Sequence, residues 1–243
     1  MRYESQQNLV PLAKRGPMNH TPQRYGTSVR GLPLEVYGPA DQPADILIIT
    51  TMHGDESDGT VVLSEAMRTV DPQDFKHPVV LCVNPDGTLQ GTRCNANGVD
   101  LNRNLPTANW SAQSLLYRGH GQRERAIELS TGSSPGSEPE NKALLELIAR
   151  VQPKTIVSLH GPIGCVEDPE FTPLAKWVAQ ETGLPLVENI GYETPGSFGT
   201  WCAEHNIHII TWEFPVEPIT QIIDSHAPVL RRLITGHDLP ELA

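Results

Sequence analysis

The apolar residues of the chain fall into short continuous runs, separated by polar stretches marked by glycine and proline. Residues 45–51, Pro78–Asn84 (PVVLCVN), Thr155–His160 (TIVSLH) and Ile207–Phe214 (IHIITWEF) each have the unbroken hydrophobic character of a strand covered on both faces. Residues 184–190 (LPLVENI) predict a further strand. Between these runs the spacing changes. In 58–70, Val61, Val62, Leu63, Ala66, Met67 and Val70 recur at helical intervals. A second helix is predicted with Ser137 as N-cap and Glu140 as its capping-box partner, burying Leu144, Leu145, Leu147, Ile148 and Val151 and ending before Pro153. Two more helices are predicted over about 172–182, stopped by Gly183, and over 218–235. Arg24–Tyr37 reads as a short hairpin around Gly31-Leu32-Pro33, and Asn84-Pro85-Asp86-Gly87 as a turn.

Alternation of strands and helices predicts an α/β fold, one domain over residues 25–243 with a largely parallel or mixed sheet covered on both faces. Residues 1–24 are polar, carry Pro11, Pro17 and Pro22, and are expected to form an extended arm. The stretch 88–137 has no clear period, apart from some helical potential within 121–130. A segment of about fifty irregular residues inside a compact domain is more often functional than idle.

The positions where the apolar runs stop carry the chemistry. His53 follows the first run, Asn84-Pro85-Asp86 the second, His160 closes the third, and Glu213 ends the last, just before Pro215. Ligands of open α/β sheets bind at these carboxyl ends. A lone histidine is commonly a hydrogen-bonded core residue, and Glu56 could simply favour a helix N-terminus. As a pair directly after a strand, however, His53 and Glu56 can both reach one cation if the backbone turns at Gly54. His160 is the candidate third ligand, and two histidines with one glutamate form a catalytic zinc arrangement with an open position. Glu213 sits in a nearly continuous apolar run, where a carboxylate needs a partner or a purpose; it is either an ion-paired structural residue or a general base. Arg93, Asn102 and Arg103 lie in a Gly/Asn-rich segment between two of the site strands. Exposed arginines are ordinarily solvated, but in this setting they suit carboxylate clamping and oxyanion stabilisation. Asp55 either orients a ligand histidine or faces solvent, and Thr50, Thr51 and Met52 form the lip of the strand.

Composition narrows the field. In 243 residues, no run approaches the roughly 18 apolar residues of a membrane span, and no apolar leader segment precedes Arg24; a cytoplasmic protein is expected. The net charge of −11 argues against nucleic acid and anionic membrane as partners and permits either a monomer or a homodimer. Cys82, Cys94, Cys165 and Cys202 form no C-x-x-C pair and read as free thiols of a reducing compartment. Cys82 is expected to pack as a small hydrophobe.

With these residues in place, the sequence resembles the zinc carboxypeptidases, the M14 metallopeptidases, from about residue 24 to 215. The matching stretches are YGTSVRGLPL, TMHGDESDG, CVNPDG, RCNANGVDLNRN, GSEPE, VSLHG, GYETPGSFGTW and TWEFP. The resemblance implies a single-domain α/β/α sandwich with a mixed, mostly parallel central sheet, and one zinc per chain on His53, Glu56 and His160. It implies Arg93 as the carbonyl-polarising arginine, Asn102 and Arg103 as the clamp on the substrate's terminal carboxylate, Tyr192 as the family's mobile tyrosine and Glu213 as the general base. Within the family the chain is similar to short bacterial members that cleave the γ-D-glutamyl–meso-diaminopimelate amide bond of murein tripeptide during cell-wall recycling. Gly199 stands near the position where digestive members carry a specificity-determining side chain, so an ordinary hydrophobic or basic C-terminal residue is not the expected substrate. Segments 105–137 and 163–172 remain to wall the distal end of diaminopimelate. Two alternatives stay open: an N-acyl amino acid deacylase of the succinylglutamate desuccinylase or aspartoacylase type, and a non-catalytic zinc-dependent peptide-binding protein.

Overall fold

The computed structural model describes residues 18, 20–117 and 127–241. Most of the expected arm, and residues 121–126 of the stretch with helical potential, lie outside them. Sixteen elements follow the chain: β1 (Gln23–Thr27), β2 (Pro33–Val36), β3 (Ile46–Thr50), α1 (Asp58–Met67), β4 (Val79–Val80), α2 (Pro85–Gln90), β5 (Leu115–Tyr117), β6 (Ile127–Leu129), α3 (Pro139–Val151), β7 (Thr155–His160), β8 (Cys165–Glu167), α4 (Pro173–Thr182), β9 (Leu186–Val187), α5 (Phe198–Glu204), β10 (His208–Glu213) and α6 (Ile219–Thr235).

Six strands make the central sheet in the order β4-β3-β7-β10-β8-β9. All neighbours are parallel except β8 and β10. Every residue of β3 and of β7 is buried, as continuous apolar runs require when both faces are covered. One face packs α1, α4 and α6 through Val62, Leu63, Val178, Leu230 and Leu233 against Ile48, Val157 and Trp212. The other packs the β1–β2 hairpin, α3 and α5 through Val36, Leu144, Ile148 and Phe198 against Leu47, Ile49 and Ile156. The chain leaves β3 through α1 to reach β4 on one side, while β7 lies on the other. The strand order therefore reverses between β3 and β7, the crevice position that α/β sheets use for ligands.

Several expectations shift. The second apolar run pairs only over Val79–Val80. Val83 and Asn84 then donate backbone hydrogen bonds to Thr50 and Thr51, and Leu81 and Cys82 are only half-buried. Asn84-Pro85-Asp86-Gly87 is not a free turn: Asn84 caps α2, its side chain accepting from Gly87 N at 2.9 Å, with Pro85 at the first helical position. The α3 cap is Glu138, one residue later than expected, and no side chain caps it. Glu140 does not close a capping box on Ser137. Its carboxylate accepts instead from Val29 N and Asn95 Nδ2, both at 3.0 Å, which ties the β1–β2 turn to the helix. Residues 127–129, inside the stretch with helical potential, form β6, paired antiparallel with β5. The strand expected over 184–190 shrinks to Leu186–Val187. The four cysteines are free. At the N-terminal side, His20 Nε2 lies 3.0 Å from the Val70 carbonyl, at the end of the first helical stretch.

His226 shows how a histidine is used for packing. It is 1% exposed in α6, its ring centroid 5.5 Å from Trp212 and 5.0 Å from Phe214, and its Nδ1 has no partner among the described residues. Burial pushes its pKa down to about 4 from an ordinary 6.5. Between those values the unfolded chain binds the proton and the folded one does not, so stability is full above about pH 6.5 and falls as pH drops toward 4. The linked loss is on the order of 3 kcal/mol. His226→Leu is expected to flatten the decline in melting temperature between pH 7 and pH 4.5, measured by circular dichroism; an unchanged slope would contradict this assignment.

Candidate active site

β3 and β7 pair in parallel with Thr50 opposite Leu159, so the residues just past each strand end emerge side by side. Thr51 turns the chain there with a φ of 58°. Its hydroxyl lies 2.7 Å from that of Thr60 in α1. Gly54 is needed for close approach and not for a special backbone angle. A Cβ there would collide with the Gly87 backbone and lie 2.5 Å from Thr88 N and Thr92 O, while Gly54 N donates to Arg93 O at 3.1 Å. That contact brings the 91–93 loop, and Arg93 with it, against the strand end.

His53 (3% exposed) and His160 (6%) flank Glu56. Glu56 Oε1 lies 2.8 Å from His53 Nδ1 and Oε2 lies 3.0 Å from His160 Nδ1. One ligand atom from each of the three falls within 4.8 Å of the others. The outer ring nitrogens are engaged elsewhere: His53 Nε2 is 2.8 Å from Arg93 Nη2 and 3.3 Å from Asp100 Oδ1, and His160 Nε2 is 3.0 Å from Ser158 Oγ. Both Nδ1 atoms are thereby turned toward Glu56. Burial alone would raise the Glu56 pKa, but the two imidazoles, by charge and hydrogen bonding, hold it far below the usual carboxylate range. Two imidazole nitrogens and one ionised carboxylate, partly closed from solvent, fit a zinc ion with an open position.

Asp100, a residue of the NANGVDLNRN stretch with no role expected from sequence, ties the rest together. It is 1% exposed. Its Oδ2 accepts from Arg93 Nε at 2.8 Å and its Oδ1 from Asn102 N at 2.9 Å, so one carboxylate orients a ligand ring, an arginine and the turn at Leu101–Arg103. Burial opposes its charge, yet Arg93 and His53 keep it well below the usual range. The role weighed for Asp55 belongs to Asp100; Asp55 is exposed. The available signal was a carboxylate between two apolar residues, Val99 and Leu101, both of which are buried. Arg93 also approaches Glu56 Oε1 at 3.2 Å and lies 4.4 Å from the Tyr117 ring centroid, so Tyr117 is a second residue that the irregular stretch concealed.

Glu213 pairs in register with His160. It is 6% exposed, and its Oε2 is buried without a partner. Burial pushes its carboxyl above the usual range, with the His160 ring pulling the other way. The ion-paired alternative for this residue finds no support among the described residues. Asn102 is held by Phe198 N, which donates to its Oδ1 at 2.7 Å. Arg103 is 8% exposed. Gly196, at a φ of +70°, lets the loop before α5 lie against the Arg103 carbonyl, 2.5 Å from where its Cβ would stand. Tyr192, on that loop, is 57% exposed. His53, Glu56, Arg93, Asn102, Arg103, His160, Tyr192 and Glu213, together with Gly199, border one cavity of about 330 Å³, whereas Asp55 and Asn84-Pro85-Asp86 do not.

A buried carboxylate with an unpaired oxygen, facing a two-histidine, one-glutamate donor set at the switch point of an α/β sheet, defines a metal-dependent hydrolase. The family profile described as zinc carboxypeptidase matches residues 6–163. The chain belongs to that family, the M14 metallopeptidases; it is a zinc-dependent hydrolase with zinc as its cofactor. It is 47% identical over 229 residues to murein peptide amidase A of Escherichia coli K12, covering 93% of this chain and 95% of that one. The crystal structure of a murein-tripeptide amidase from Escherichia coli O157 superposes with a TM-score of 0.88 at 45% identity, over 96% of this chain and 98% of that one. Carboxypeptidase A of Helicoverpa armigera shares the fold at a TM-score of 0.66 and 16% identity, over 93% and 69% of the two chains.

Replacing Asp100 by Asn should weaken zinc binding about 10- to 100-fold, the usual effect of losing a residue that orients a ligand. Competition titration against a chromogenic chelator measures it. Wild-type affinity in the variant would show that His53 needs no such support.

Proposed function

We propose that the chain hydrolyses the amide bond between γ-D-glutamate and meso-diaminopimelate in murein tripeptide. The observation that carries this reading is the likeness to murein amidases along nearly the whole chain, together with the complete His53, Glu56 and His160 set and the unpaired Glu213 Oε2. Residues 25–243 act as one catalytic domain; Gln23 and Arg24, expected at the end of an arm, join it through β1, paired with Val36 and Glu35. The setting is peptidoglycan recycling in the cytoplasm, with a small peptide as partner.

Zinc, when bound, supplies Lewis acidity to the scissile carbonyl and to a water. Glu213 accepts the water's proton on its free oxygen and delivers it to the departing nitrogen of diaminopimelate. Arg93 presents its guanidinium to the charge that develops on the carbonyl oxygen. Asn102 and Arg103 hold the carboxylate beside the scissile nitrogen, with the arginine fork giving it direction, and Tyr192 closes over the bound peptide from its exposed loop. Glu213 weighs against a purely binding role, because an unpaired buried carboxylate is costly unless it serves the reaction. The cavity is lined by Arg93 and Arg103 and also by Glu167, and this charge of both signs weighs against small N-acyl amino acids.

Mass spectrometry of digests of murein tripeptide, N-succinylglutamate and N-acetylaspartate separates the readings. Free diaminopimelate is expected from the first and no product from the others. Glu213→Gln is expected to lower kcat by at least about 10²- to 10⁴-fold. Hydrolysis of the acylated amino acids in preference to the tripeptide would overturn the assignment, and near-normal turnover by Glu213→Gln would remove Glu213 from the mechanism.

A further inference from the structure

The cavity continues past the metal ligands along the sheet. On its floor, β7, β10 and β8 present two polar rungs. The upper rung is His160 and Glu213, with Cys165 beside Glu213 but outside the cavity lining; the lower, two residues back, is Ser158, Thr211 and Glu167. Strand geometry separates the rungs by roughly 6.6 Å. Ser158, Thr211 and Glu167 all border the cavity.

Glu167 is placed to act. Its Oε1 accepts from Ile190 N at 3.2 Å, which anchors the side chain toward the loop that carries Tyr192. Its second oxygen has no partner, and it makes no ion pair, among the described residues. The neighbouring Asp168 is different. His208 Nε2, the Thr172 amide and hydroxyl, and Glu170 N surround its carboxylate at 2.7–3.0 Å, so it has little capacity left for a ligand. Thr211 Oγ1 likewise bonds to no described side chain. Of the arginines that border the cavity, Arg93 pairs with Glu56 at 3.2 Å and Arg103 lies within the field of Asp100, Arg93 and Glu56, so both stand on the side of the metal ligands. Glu213 Oε2, buried and unpaired on the upper rung, marks the same cavity independently as a place where a ligand completes the hydrogen bonding.

The cavity is thus polarised, with guanidinium at one end and a free carboxylate at the other. We infer that Glu167 is a specificity-determining residue that binds the distal ammonium of the leaving diamino acid. This rests on the reaction proposed above. With the proximal carboxylate on Asn102 and Arg103 and the scissile nitrogen beside Glu213, a side chain of three methylenes spans about the 6.6 Å between the rungs. Its terminal ammonium then meets Glu167, and the Thr211 hydroxyl is a neutral donor for the carboxylate on the same carbon. Gly199, bordering the same space, adds no side chain to obstruct it.

The test compares kcat/KM for L-Ala-γ-D-Glu-meso-diaminopimelate with that for the same peptide ending in 2-aminopimelate, which keeps the distal carboxylate and lacks the distal amine. A charge-assisted hydrogen bond predicts that the wild-type chain favours the amine-bearing peptide by about 10- to 100-fold. In Glu167→Gln, which keeps an acceptor for Ile190 N, that ratio should fall to near one. In Glu167→Asp, which keeps the charge, a preference for the amine should survive. Melting curves of both variants verify that the fold is intact. A Glu167→Gln ratio equal to wild type overturns the role of Glu167 while leaving the tripeptide reaction standing. Failure of the wild-type chain to cleave either peptide overturns the reaction and this inference with it.

Discussion

The parallel register of β3, β7 and β10 is the constraint on which the site depends. Thr50 stands opposite Leu159 and Glu213 opposite His160. Those pairings alone bring residues 53, 160 and 213, far apart in sequence, to one sheet edge. A slip of one residue would turn His160 and Glu213 to the other face, among α1, α4 and α6. The apolar runs make such a slip expensive, since Ile156, Val157, Leu159 and Ile210 are each fully or almost fully buried. The core therefore does more than stabilise the domain: it sets the geometry from which the chemistry follows.

Around that edge, charge is balanced by contact and not by solvent. Asp100, Arg93, Glu56 and the two ring systems form a continuous chain of pairs at 2.8–3.3 Å. Burying ions is unfavourable unless each has partners, and here each does, with one exception. Glu213 keeps a buried oxygen free beside this satisfied network. A single group left unpaired among saturated neighbours is the expected signature of a proton acceptor. Glu167 repeats the pattern at the far end of the cavity, half-exposed and beside a saturated Asp168.

Much of this was legible in the sequence. β7 and α4 stand where the apolar run TIVSLH and the Gly183 stop signal predict them, because fully buried strands and glycine-ended helices leave strong local marks. The ligand set was legible for the same reason: the histidines and glutamates close those runs. What was not legible depends on tertiary contact. β8 is three residues long and draws its strand character from antiparallel pairing with β10. α5 is a seven-residue helix with Gly199 in its first turn, identifiable by Ser197 accepting from Thr200 N at 3.1 Å. Asp55, near His53 in sequence, is the carboxylate that local reading favours as support for a histidine, whereas Asp100 reaches His53 only through the fold. Glu167 had no distinguishing neighbour in sequence, since its meaning comes from lying opposite Thr211 across a strand pair.

The central claim is that strand ends of one sheet assemble a single zinc centre that hydrolyses murein tripeptide. Its most direct test is a metal titration. The chain is stripped with a chelator, zinc is returned in measured steps, and diaminopimelate release is followed by mass spectrometry. The account predicts no release from the stripped protein and recovery that levels off at about one zinc per chain, as expected for one open two-histidine, one-glutamate site. Release that persists without metal, or none at full zinc loading, would contradict it.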